Sequence, residues 1–190
     1  MRVASLFLSL LFCFVLPVHS AQLAGIEVPE QVQLSGLEKP LQLNGAGIRK
    51  KLFIKVYVAA LYLPKKEQDA QSLLRRVPAN RVLMHIVYDK LSRSQMDDAW
   101  HDGFAENLDE DAYEAMLPRL QQFMALFYDL HEGDRVWLDY QPGEGTRVSI
   151  NGELRGSVAG RDFNAALLSV WLGREPVTSS LKKALLGADR

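Results

Sequence analysis

Residues 44–64, NGAGIRKKLFIKVYVAALYLP, hold the side chains best placed to do chemistry. A Gly45-Ala46-Gly47 bend leads into Arg49, Lys50 and Lys51, and an almost wholly apolar run follows. Read as a strand with strict alternation, residues 53–63 put Phe53, Lys55, Tyr57, Ala59, Leu61 and Leu63 on one face and Ile54, Val56, Val58, Ala60 and Tyr62 on the other. If the glycine bend carries Arg49 onto the first face, a guanidinium, an ammonium and a phenol share one inner surface. Such a group would hold an anionic head, a carboxylate or a phenolate, while the alanines and leucines beyond it line an apolar slot. The alternative is an exposed basic turn with Tyr57 as ordinary core, since charge runs usually face solvent.

Other chemistry finds less support. Gly45-Ala46-Gly47 lacks the third glycine of a dinucleotide loop, and a strand follows where a helix N-terminus would have to receive phosphate. A β-bulge or a close backbone approach explains those glycines better. His85, His101 and His131 form no HExxH or HxH pattern. Asp97 and His101 lie one helical turn apart, but a solvated helical face accounts for them. There is no GxSxG elbow, and Ser72, Ser92 and Ser94 read as caps or polar faces. Neither a metal nor a cofactor is expected.

The elements that must position Arg49 follow from length and patterning. At 190 residues and 48% hydrophobic, the chain can bury one good core. Arg2, an apolar run over residues 3–16 and Val18-His19-Ser20-Ala21 read as a signal peptide over residues 1–20, cleaved after Ser20. Residues 21–190 are then one exported domain, expected in the periplasm or secreted. No later stretch is apolar and long enough to span a bilayer. Cys13, the single cysteine, falls in the leader, so disulfides and thiol chemistry are excluded from the mature chain. Without Arg2 the net charge is about −2, which makes nucleic acid an unsuitable partner.

Residues 25–34 and 41–52 alternate as strands, and 81–90 add another. Ser92 with Gln95 fits a capping box, with Met96, Trp100, Phe104 and Asn107 on the inward stripe of the helix that follows. Asp109, Glu110 and Asp111 suit the first turn of a second helix, whose stripe is Tyr113, Met116, Leu117, Leu120, Phe123, Met124 and Phe127, with Pro118 as a kink or restart. Strands return at RVWLDYQ and RVSINGELRGSV, where Asn151-Gly152 signals a tight hairpin. Two helices close the chain, carrying Phe163, Leu167, Val170 and Trp171, then Leu181, Leu185 and Leu186 up to Gly187. Strands, helices, strands, helices predict an α+β fold, a large antiparallel sheet covered on one face by helices.

GAGIRKKLFIKVYVAALYLP, together with LLSVWLGREPVTSSLKKALLG (residues 167–187), resembles the chalcone isomerase-like family, in particular its small exported bacterial members. The resemblance implies an open-faced α+β sandwich with a ligand cleft between sheet and helices. Plant enzymes of that family close a chalcone into a flavanone, and other members are similar to fatty-acid binders or non-catalytic helpers. On this resemblance Arg49 matches the arginine that holds a phenolate or a carboxylate. The enzymes' threonine falls at Tyr57, their tyrosine, lysine and asparagine at Met96, Ala99 and Gly103, and their last polar contact at Val170. A lone arginine orients an anion without completing an acid–base pair, so no catalytic residue and no flavanone formation are expected.

The resulting expectation is a non-catalytic exported protein that binds a fatty acid or similar amphipathic carboxylate through Arg49, Lys55, Tyr57 and Met96. Two alternatives stand beside it. One is an isomerase or lyase acting on a phenolic or enone small molecule through Arg49 and Tyr57. The other is a structural partner for another protein, its cleft filled by Met96, Met116, Phe123 and Met124.

Overall fold

The computed structural model describes residues 20–188; the leader expected over residues 1–20, including Cys13, lies outside the described residues apart from Ser20. The strands are β1 (Ser20–Leu23), β2 (Ile26–Pro29), β3 (Gln31–Val32), β4 (Leu41–Lys51), β5 (Ile54–Leu63), β6 (Asn80–Ile86), β7 (Lys90–Leu91), β8 (Leu130–His131), β9 (Arg135–Gln141), β10 (Gly145–Ile150) and β11 (Glu153–Val158). The helices are α1 (Ala70–Arg76), α2 (Arg93–Ala105), α3 (Glu110–Met124), α4 (Arg161–Leu172) and α5 (Ser179–Leu185). Seven strands form one antiparallel sheet in the order β11-β10-β9-β6-β5-β4-β3. The expected α+β sandwich is the observed fold. The expected strand over residues 25–34 is two strands broken at Glu30, and β2 pairs with β1 outside the main sheet.

The apolar pattern explains the layering. Tyr57, Ala59, Leu61 and Leu63 of β5 join Met96, Trp100 and Phe104 of α2, Leu120 and Phe123 of α3, and Val170 and Trp171 of α4 in the larger core. Val58, Ala60 and Tyr62 face the other way and pack with Val28, Leu34, Leu41 and Leu43. Both faces of β5 are therefore buried, which is why its sequence reads as a continuous apolar run. The expected capping box of Ser92 and Gln95 closes on α2. Asp109, expected inside the first turn of α3, is instead its cap and accepts from the Ala112 N–H at 2.8 Å, leaving Glu110 and Asp111 in that turn, and Thr178 caps α5 without a counterpart in the expected signals. Asn151 and Gly152 both have positive φ, 54° and 86°, as the tight β10–β11 turn requires.

Pro118 neither kinks nor restarts α3, which runs through it. The proline stands on the exposed side with Glu114 one turn earlier, so the carbonyl it leaves without a donor meets water. Helix α1, capped by Asp69 and ended by Val77 in left-handed conformation, has no counterpart in the expected elements.

Candidate functional site

The Gly-Ala-Gly segment lies inside β4 and works by close approach. Leu43 pairs with Tyr62 and Gly45 with Leu61, leaving Asn44 as a bulge. Its side chain turns inward, donates to the carbonyls of Glu67 (2.9 Å) and Leu185 (2.8 Å), and accepts from the Glu67 N–H at 2.7 Å. One asparagine thus ties β4 to the loop before α1 and to the C-terminal helix. Beyond the bulge, Gly45, Gly47 and Arg49 follow at the two-residue strand period on the helix-covered face. A Cβ on Gly45 would sit 2.0 Å from the Ala184 carbonyl oxygen, and one on Gly47 would sit 2.7 Å from the Ala184 Cβ. The two glycines let α5 lie directly on the strand, and Arg49 is the first side chain on that face past the helix.

Arg49 is paired across the sheet with Tyr57, so the two share a face. The guanidinium carbon is 5.8 Å from the Tyr57 ring centroid. Arg49 is half-buried, and among the described residues its side chain has no hydrogen-bond or ion-pair partner. Tyr57 is 5% exposed, and its hydroxyl accepts from the Trp171 indole N–H at 2.9 Å. Burial raises its pKa, against smaller opposing effects from the Arg49 charge and the Trp171 hydrogen bond. The phenol is therefore neutral and keeps its own O–H for a further acceptor.

Both side chains line a cavity of about 290 Å³ between β5, α2 and α4. Its inner wall is Met84, Met96, Trp100 and Val170, all buried. Its rim is Lys51, Leu52, Ile54, Tyr88 and Gln95, all exposed. Trp100 rests edge-on against Phe123 (5.2 Å) and Trp171 (5.7 Å), so this aromatic cluster closes the floor. The Trp100 indole N–H is buried without a partner among the described residues. The lining is predominantly apolar, with few polar groups, as in pockets that take the apolar part of an amphipathic molecule.

Of the four residues expected to meet a ligand, Arg49, Tyr57 and Met96 line this cavity; Lys55 is exposed and does not. A second bulge is the reason. Arg49 pairs with Tyr57 and Lys50 with Lys55, so Val56 is the extra residue, and it joins Tyr57 in the larger core. Strict alternation fails there, and Ile54 and Val56 take the places on the cavity side that alternation gave to Phe53 and Lys55. Met116, Phe123 and Met124, expected as plugs, are buried in the larger core and do not line this cavity. Helical spacing marks Trp100 and Trp171 only as packing residues. Their polar atoms could not be assigned from helical spacing.

The positions matched to the enzymes' asparagine and last polar contact meet each other. A Cβ on Gly103 would lie 2.9 Å from Val170 Cγ1, so α2 and α4 close on a glycine–valine contact where a polar side chain has no room. Elsewhere, His101 shares a hydrogen bond with the Tyr113 hydroxyl at 2.8 Å, and no cluster of three or more metal-ligating side chains occurs among the described residues.

Tyr57→Phe leaves the Trp171 N–H unpaired in the core and is expected to lower stability by about 1–3 kcal/mol. Urea denaturation of the variant checks this. An unchanged midpoint would show that the hydrogen bond does not contribute.

The chain belongs to the chalcone isomerase-like family, whose profile matches residues 20–187. Among solved structures, the fatty-acid binding protein AtFAP1 of Arabidopsis thaliana has a similar fold, with a TM-score of 0.73 and 20% sequence identity, covering 90% of this chain and 97% of that one. A comparison with curated proteins gives no match.

Proposed function

We propose that this protein is a non-catalytic carrier of a fatty acid or similar amphipathic carboxylate, exported after cleavage near Ser20. The observation that carries the reading is an unpaired, half-buried guanidinium beside a neutral phenol in the lining of an apolar cavity. A carboxylate there would accept from Arg49 in a charge-assisted, two-pronged bond and from the Tyr57 hydroxyl. The acyl chain would lie along Met84, Met96 and Val170. Ligand cavities usually run from about 300 to 1,000 Å³, so this one, at 290 Å³, favours a short or medium chain over a long one.

Similarity of fold to a fatty-acid binding protein supports the reading. An acid–base mechanism has less to work with: Met96, Ala99, Gly103 and Val170 carry no titratable group, and a phenol whose pKa is raised is a poor base at neutral pH.

The test starts from protein expressed with its leader and recovered from periplasmic extract. Mass spectrometry is expected to give a chain beginning at Ala21. After removal of bound lipid, decanoate should quench or shift the tryptophan emission and bind at least tenfold more tightly than decanol. Equal binding of acid and alcohol would sink the carboxylate reading. Turnover of a chalcone above its spontaneous rate would favour the isomerase instead.

A further inference from the structure

The turn between β4 and β5 is built from the wrong residues for water. Leu52 is 88% exposed, Phe53 98% and Ile54 51%. Leu52 also adopts φ 56°, a left-handed conformation that favours glycine or asparagine. The same chain uses Asn151-Gly152 at the β10–β11 turn, so a soluble alternative was open to it. Around the apolar tip stand Lys50, Lys51 and Lys55, all exposed and, among the described residues, without an ion-pair partner. On the adjacent rim lies Tyr88, 36% exposed.

Apolar and aromatic side chains at a projecting tip, ringed by unpaired lysines on long flexible stems, match the layered chemistry of a bilayer surface. The tip enters the acyl boundary, the ammonium groups stay with the phosphates, and the tyrosine suits the interface. We infer that the β4–β5 hairpin tip docks the protein on an anionic phospholipid membrane. Leu52 and Ile54 of the tip also border the cavity, so docking sets the cavity mouth against the lipid. That this serves the loading or release of an acyl carboxylate rests on the function proposed above; the docking itself does not.

The experiment is flotation of the mature protein with vesicles of phosphatidylcholine alone or mixed in equal parts with phosphatidylglycerol, at low salt. The variants are Phe53→Asp and the double substitution Lys50→Glu with Lys55→Glu, all exposed positions outside the cavity lining. The wild type should partition at least tenfold more onto the anionic vesicles, and each variant should lose about tenfold or more of that binding. Added salt should weaken it, while melting temperature and decanoate binding stay at wild-type values. Equal partitioning of the wild type onto both vesicle types, or undiminished binding by Phe53→Asp, would overturn the inference. So would a concentration-dependent dimer that Phe53→Asp abolishes with no vesicle binding, because the tip would then be a contact between copies. A wild type that docks yet ignores decanoate would leave the docking standing and remove the carrier.

Discussion

Gly45→Ala is expected to destabilise the domain by about 3–5 kcal/mol, far more than one methyl group ordinarily costs in a core. The added carbon would come within 2.0 Å of one backbone carbonyl oxygen and 2.6 Å of the next, both in α5. Backbone cannot rotate away as a side chain can, so the helix must lift from β4. Lifting breaks the buried bond from Asn44 to the Leu185 carbonyl and opens the contact of Leu181 and Leu185 with the larger core. Those losses add to the overpacking cost, an unpaired buried amide alone costing about 1–3 kcal/mol. For a domain of this size the melting temperature should fall by roughly 10 °C or more. A loss under about 1 kcal/mol would mean that α5 is not seated on the strand, and the reason given for the Gly-Ala-Gly segment would fail.

Arg49→Ala should have the opposite profile, a large effect on binding and little on folding. Among the described residues the guanidinium has no polar partner, so its removal leaves no buried group unsatisfied. Charge-assisted hydrogen bonds are worth about 1.5–3 kcal/mol, which corresponds to a loss of roughly tenfold to a hundredfold in decanoate affinity. Decanol affinity should barely change. Arg49→Lys should recover only part of the loss, because an ammonium keeps the charge without the planar fork. Titration calorimetry with both ligands reads these differences, and a matching melt confirms that the fold is intact.

The sequence disclosed the layers more fully than it disclosed the site. Capping residues, helical stripes and the Asn151-Gly152 turn act locally, over one to four residues, so they are legible in a single chain. The shared face of Arg49 and Tyr57 was legible only as a condition on the glycine bend; their pairing across the β4–β5 hairpin brings it about. The exposure of Lys55 was not legible. The bulge at Val56 arises from how two strands meet, and alternation along one strand carries no sign of it. The role of Asn44 has no local signature for the same reason, since its three hydrogen bonds go to Glu67 and Leu185, far along the chain. The indole N–H groups of Trp100 and Trp171 sit on residues whose spacing says only that they are buried. Which polar atom of a buried aromatic side chain finds a partner is a property of tertiary packing.

The most direct measurement uses decanoic acid labelled with carbon-13 at the carboxyl, followed by NMR through a pH titration while bound to the wild type and to Arg49→Ala. A cation beside a carboxylate favours its charged form. In the wild type the bound acid should therefore stay ionised to a pH well below its ordinary range. In Arg49→Ala, with the charge gone and burial remaining, its pKa should rise to or above that range. Identical titration curves for the two proteins would show that the carboxylate does not meet Arg49, and the carrier mechanism proposed for this cavity would be wrong.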